Sequence, residues 1–286
     1  MALSSLAQRV VTAVVLVPLV LAALFLLPPR TFAIVMIVVL ALAAHEWARL
    51  AGFALHRMTS LVGGFVLLAV FVLFAGAFGF LRGWPDRVVV TICGVASLFW
   101  FAVAPAWLAR QWSTRAWLPA TLVGWIVILG AWVAVVELQA RSPWLLLAAM
   151  ATVWIADTAA YFTGRKLGRR KLAPSISPNK TWEGVLGALV AVGAYALLLV
   201  ALDAGVVTGG ARSIGFTVAF VAFALLLAAV SIVGDLFESL LKRQAGAKDS
   251  GTLLPGHGGV LDRIDALLSA MPPAAVAAAL VLPKGL

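Results

Sequence analysis

The sequence predicts an all-α, polytopic integral membrane protein with about nine transmembrane helices. Three observations carry this. The 286 residues are 64% hydrophobic and only 11% charged, against about 25% charged in a soluble domain. The apolar residues gather into runs long enough to cross a bilayer, which takes about 20 residues at 1.5 Å rise. Between the runs stand prolines, glycines and arginines. A water-soluble fold of this composition would expose a large apolar surface.

The spans are expected near residues 10–27, 32–51, 60–81, 88–108, 117–137, 143–163, 184–202, 213–234 and 261–282. The first follows Arg9 and ends at Pro28-Pro29-Arg30 without a small-residue cleavage site, so it reads as an uncleaved span rather than a signal peptide. The eighth is expected to continue past the membrane, because Asp235 to Arg243 contains no helix breaker. Most of the eleven tryptophans fall near span ends and read as interfacial anchors.

Basic residues set the expected orientation. The side that carries the N-terminus and the loops after spans two, four, six and eight holds 15 Lys and Arg, from Arg9 to Arg263. The other side holds Arg30, Arg82, Arg87, Arg141, Arg212 and Lys284. This bias places the N-terminus and both large polar loops in the cytoplasm and the C-terminus on the opposite side. The net charge of +10 therefore points to loops and anionic headgroups, with no nucleic-acid partner. The single Cys93 reads as a small buried hydrophobe. With His45, His56 and His257 it forms no zinc spacing.

Residues 1–140 read as a transmembrane scaffold and 141–286 as the catalytic region of one integrated membrane domain. The first part has three acids, Glu46, Asp86 and Glu137; seven of the rest lie in the later polar segments. Acids in or near a bilayer are costly and mark function by default.

Three polar elements stand out. In the first, Asp157 lies in an apolar run with Tyr161 and Gly164 on one helical face. A structural pairing with a nearby cation is the plainer account of Asp157, but a carboxylate at this depth is costly, and a functional role is favoured. The second, Ser175-Ile-Ser177-Pro-Asn179-Lys180-Thr181-Trp-Glu183-Gly184, precedes span seven. It can cap that helix or, through free N–H groups beside Lys180, hold a phosphate. It lacks the glycines of a P-loop, which excludes a Walker-type NTPase. In the third, Asp235, Glu238, Ser239 and Lys242 share a helical face. A Gly-rich loop follows with Lys248, Asp249 and Pro-Gly-His257-Gly258-Gly259, and then Asp262, Arg263 and Asp265. Carboxylates converging on one polar mouth suit magnesium, which takes oxygen ligands and keeps waters and phosphates. His257 reads as a hydrogen-bonding loop residue rather than a ligand.

The stretch Ser239-x-Leu-Lys-Arg-x4-Lys-Asp-x-Gly-x2-Leu-Pro-Gly-His-Gly-Gly-x-Leu-Asp-Arg-Ile-Asp265 closely resembles the signature of the phosphatidate cytidylyltransferases, or CDP-diacylglycerol synthases. The Ser-Pro-Asn-Lys-Thr-Trp-Glu-Gly and Asp-Thr-Ala-Ala-Tyr segments resemble that family too, so the likeness covers roughly residues 150 to 268. It implies that CTP and phosphatidate react to CDP-diacylglycerol and pyrophosphate in the cell (inner) membrane. It also implies Mg2+ beside a second cation such as K+, and a homodimer.

On this reading Asp235 and Asp249 are the first-choice metal ligands, followed by Asp157 and Asp262. Lys180, Thr181 and Glu183, with Ser177, Asn179 and Ser239, are placed for substrate. Lys242, Arg243, Lys248 and Arg263 would hold phosphates, and His257, Gly258 and Gly259 would let backbone approach the ligand. Two rivals are a CDP-alcohol phosphotransferase, whose Asp-Gly-x2-Ala-Arg half-motif is missing, and a transporter, in which the acids would be strung across the membrane.

Overall fold

The computed structural model describes residues 5–75, 83–202, 210 and 213–282, with side chains from residue 11 onward apart from residue 13. The expected positions Arg82, Asp203, Arg212 and Lys284, and the side chain of Arg9, lie outside the described residues.

The described residues form nine helices: α1 (Ser5–Leu26), α2 (Pro29–Leu50), α3 (Leu55–Ala75), α4 (Asp86–Arg110), α5 (Trp117–Arg141), α6 (Pro143–Leu167), α7 (Trp182–Leu202), α8 (Ile214–Gln244) and α9 (Leu261–Val281). Among the described residues, α2 to α9 are long and apolar enough to cross a membrane, and α1 contributes the shorter apolar stretch Val14–Leu26. The nine expected spans thus map one to one onto helices. Pro29 starts α2 where a missing N–H costs nothing. In α4 the backbone widens to a π-turn at Phe99–Val103, directly before Pro105, which has no N–H to continue the normal ladder. As expected, α8 runs unbroken past residue 234 to Gln244.

The segment before α7 differs from expectation. Read as a loop, it is a two-stranded antiparallel hairpin, β1 (Lys171–Ala173) and β2 (Ser177–Thr181), with Lys171 opposite Thr181. Ile176 at its turn is buried and seals it against the bundle.

Helix α5 is the central column, packing against α2, α3, α4, α6 and α9, while α8 packs mainly on α7 and α9. The tryptophan reading needs correction. Trp47, Trp84, Trp100, Trp107 and Trp132 are buried in the core rather than anchored at an interface. Four of them spend the indole N–H on a backbone carbonyl inside the protein: Trp47 on Ala120, Trp84 on Val72, Trp107 on Trp112 and Trp132 on Ala33. That satisfies the one polar atom which otherwise draws tryptophan to the membrane surface.

Three of these rings, with Phe99, enclose Phe237 of α8. Centroids lie 5.6 Å away for Phe99, Trp100 and Trp107, and 5.9 Å for Trp47. Phe237 lies between Asp235 and Glu238, so this cage fixes the rotation of the helix that carries most of the polar face. Phe237→Ala is expected to lower stability by about 3–5 kcal/mol, read as a lower thermal unfolding midpoint in detergent.

At the end of the bundle away from the hairpin, Arg141 pairs with Glu137 and Asp86 and donates to the carbonyls of Ala278 (3.1 Å) and Leu282 (2.8 Å). Asp86 and Glu137 thus tie α4, α5 and α9 together through Arg141.

Candidate active site

The polar elements meet at one end of the bundle: the C-terminal end of α6, the hairpin, the C-terminal end of α8, the loop 245–260 and the first turn of α9. The hub is Asp235. Its Oδ2 lies 2.5 Å from Lys180 Nζ on β2, and its Oδ1 accepts from Ser239 Oγ at 3.3 Å, one turn on. Asp157 is within electrostatic range of Asp235 and Lys180, and Asp265 within range of Asp235, Asp157 and Lys242. Lys242 holds the other flank. Its Nζ contacts Glu238 and lies 2.8 Å from Asp262 Oδ1. Five carboxylates therefore surround two lysines, which leaves negative charge over when all are ionised.

Asp262 builds the loop. Its Oδ2 accepts the N–H of Ser250 and of Gly259, both at 2.8 Å, and lies 2.9 Å from Ser250 Oγ. These bonds draw the two ends of the glycine-rich segment together at the start of α9. Between them Leu254-Pro255-Gly256-His257 makes a tight turn closed by His257 N–H to Leu254 O at 2.8 Å. Pro255 presets its first corner and Gly256, at φ +73°, takes the second, as a type II turn requires.

A residue assigned to the scaffold completes this loop. Glu46 of α2 is buried. Its carboxylate accepts Val260 N–H at 3.1 Å and Leu261 N–H at 2.7 Å, and lies 3.0 Å from Ser250 Oγ. One turn on, Arg49 donates to the carbonyl of Ser250. Gly259 has to be glycine here, because a Cβ would stand 2.4 Å from Glu46 Oε2. Thr12 of α1 adds a hydrogen bond to Pro255 O at 2.9 Å. The N-terminal helices thus reach the loop directly.

The other expected residues divide into two groups. Arg243 donates to Ile176 O at 3.2 Å and ties α8 to the hairpin. Thr181 is buried and caps α7 through Gly184 N–H at 3.2 Å, and Glu183 accepts the N–H groups of Arg169 and Arg170. Gly258 leaves room for Asp262, since a Cβ there would stand 2.6 Å from Oδ2. These residues hold the frame. Asn179, Lys248, Asp249 and Arg263 are exposed around the mouth, Ser177 is half-buried on β2, and His257 is half-buried with Nδ1 lacking a hydrogen-bond partner. Asp265 and Glu238 stand outside the expected site residues, and the helical spacing of Glu238 and Lys242 allows the ion pair that the structure shows. The structure brings both into the carboxylate group, and Glu238 Oε1 is buried without a hydrogen-bond partner.

Among the described residues no group of three His, Cys, Asp or Glu side chains is arranged to hold a metal ion by itself. The arrangement fits a cation that keeps waters and substrate oxygens and takes only one or two carboxylates from the protein, as magnesium does. Of the four expected ligands, Asp157 and Asp235 stand together and Asp249 is free to approach. Both oxygens of Asp262 already serve Lys242 and the loop.

This end of the bundle thus combines a cluster of carboxylates with exposed lysine and arginine, at the end of membrane-spanning helices. Residues 7–281 match the Cytidylyltransferase family, and the chain belongs to that family. A protein named phosphatidate cytidylyltransferase from Pseudomonas aeruginosa is 39% identical, over 93% of this chain and 94% of the relative. Its namesake from Haemophilus influenzae is 36% identical, over 93% and 96%. One from Thermotoga maritima is 46% identical over 43% of this chain and 44% of its own length.

Proposed function

We propose that this chain transfers the cytidylyl group of CTP to phosphatidate, giving CDP-diacylglycerol and pyrophosphate. One observation carries the reading: Asp235 and Lys242 of α8 and Asp262 of α9 meet Lys180 and Asp157 in one cluster, in a chain whose full-length relatives are named for this reaction.

A phosphate oxygen of phosphatidate attacks the α-phosphorus of CTP. The bond from the α-phosphorus to the bridging oxygen of the β-phosphate breaks, and its electron pair leaves with pyrophosphate. Phosphomonoesters have a second pKa near 6 and are largely dianionic at neutral pH, so the attack needs no general base. The protein has to bring two polyanions together and neutralise them. Lys180 and Lys242 are held by carboxylates at the pocket, so their ammonium groups are fixed before substrate arrives. Lys248 and Arg263 lie exposed around the mouth and attract the triphosphate, with the charge of Arg243 behind them on the frame. Asn179 and Ser177 on β2 offer polar contacts to the nucleotide.

Magnesium, when bound, supplies charge neutralisation at the phosphates. Asp235 would hold it with either Asp157 or Asp249 of the loop, and a second cation such as K+ has Asp265 and Glu238 nearby. The site faces the cytoplasm of the inner membrane, where CTP is found, with the C-terminus on the opposite side. The active form is a homodimer. The lysine and arginine bias supports the orientation; the dimer rests on the family resemblance.

Pyrophosphate release from CTP, measured in detergent micelles with and without phosphatidate, tests the reaction. Release only with phosphatidate is expected; a CDP-alcohol phosphotransferase or a transporter would release none. Asp249→Asn should leave the fold intact, because Asp249 is exposed, and should strip the reaction of its magnesium dependence and most of its rate. Full magnesium-dependent activity in that variant would remove Asp249 from the metal set.

A further inference from the structure

The half of the bundle away from the polar site contains a cavity of about 330 Å³, walled by α5 to α9. Its nearest lining residues are Thr152, Leu227 and Ala274. Counting helical rise, these begin about 8–14 Å beyond Asp157, Asp235 and Asp265 on the same three helices. On α8 the lining runs from Leu227 back to Phe216, about 16 Å, close to half the roughly 30 Å hydrocarbon core of a bilayer.

The lining leaves nothing for a polar guest. Only two of its side chains carry a hydroxyl. Thr152 Oγ1 donates to Ala148 O at 3.0 Å, and Tyr195 OH donates to the same carbonyl at 3.3 Å. Alanine, leucine and phenylalanine make up most of the rest. Water needs two to four polar partners and stays out of such a space, whereas an apolar cavity of only about 150 Å³ readily takes up benzene.

The cavity is also closed toward the site. Ala156, Ala228, Ser231, Ser269 and Ala270 lie between the two and are at most 1% exposed. Ser231 and Ser269 return their hydroxyls to their own helices, at 2.8 and 2.9 Å. A substrate tail therefore has no path through the core from the polar site. Toward the outside the wall is looser: Tyr195, Phe216, Phe220 and Phe223 are only half-buried.

We propose that the cavity holds one hydrocarbon chain of a membrane glycerophospholipid from the leaflet opposite the site, separate from the substrate lipid. Depth, length and dryness all match a single tail entering from the far interface. The proposal stands whether or not the reaction proposed above is correct.

Full-length protein in phosphatidylcholine vesicles, with a diazirine on one acyl chain of the lipid, gives the test. Irradiation followed by peptide mass spectrometry should place the label on 145–152 and 216–227. Ala224→Phe, which fills the cavity, should lose that label while lipid-facing residues such as Leu186 and Val190 keep theirs. If Ala224→Phe is not monodisperse, Ala149→Leu makes a smaller intrusion with the same readout. Label that is uniform or indifferent to the filling variant overturns the proposal. So does a disulfide between two copies of a Phe220→Cys variant on oxidation, which would make a second copy the occupant. Label displaced by phosphatidate but not by excess phosphatidylcholine also overturns it, because the cavity would then belong to the substrate.

Discussion

Asp235→Asn should lower turnover of CTP by at least about 100-fold, the scale expected when a fixed charge is removed from a site that works by electrostatic stabilisation. The substitution keeps the side chain's shape. Its amide oxygen can still accept from Lys180 or Ser239, the two contacts Asp235 makes. The partly exposed ion pair contributes about 0–1 kcal/mol at most, so the protein should purify and unfold much like the parent. The negative charge that faces Asp157 and Asp265 is lost, and with it the site's hold on a divalent cation. The measurement is kcat together with the magnesium concentration giving half-maximal rate. Unchanged kcat and unchanged magnesium dependence would show that the hub of the carboxylate group plays no part in the reaction.

Glu46→Ala should damage the enzyme from a position outside the carboxylate cluster. It removes the acceptor for two buried backbone N–H groups and a neighbour of Ser250. Each buried donor left without a partner costs about 1–3 kcal/mol. The start of α9 would then be free to shift, carrying Asp262 away from Lys242, and a displacement of about 1 Å can cost about 100-fold in rate. Glu46→Gln separates positioning from general loss of stability. Its carbonyl oxygen can still take Val260 N–H, while its amide cannot accept from Leu261. Activity between parent and Ala variant, with KM for CTP close to the parent's, is the expected result. Equal activity in parent and Ala variant would make the clamp irrelevant to the site.

The sequence made some of this legible and hid the rest for physical reasons. Spans could be counted because a bilayer demands about 20 apolar residues at a time. The signature stretch could be found because charge is rare elsewhere. Which face of each helix meets protein and which meets lipid cannot be read, since both are apolar; hence the sequence does not separate buried tryptophans such as Trp47 and Trp132 from interfacial anchors. The hairpin was missed because Ser177 to Thr181 has neither alternation nor a run of β-branched residues. Glu46 was missed because its partners lie more than 200 residues away and its own surroundings look like any apolar span. One signal was available: an acid in a membrane helix, with Arg49 one turn on, is costly unless it is met by a partner. Asp262 was seen but read as a ligand, where the structure gives it Lys242 and the loop.

The distance along the chain between Glu46 and Ser250, 204 residues, also has a consequence in time. At about 5–20 residues per second of synthesis, α2 enters the membrane some 10–40 s before the groups that answer its carboxylate exist. During that interval it carries an acid that a bilayer does not accommodate readily, so its final depth waits on the end of the chain. A nascent protein released before Leu261 would keep that unmet charge. The loop and the start of α9, made some 200 residues later, are thus what lets α2 settle.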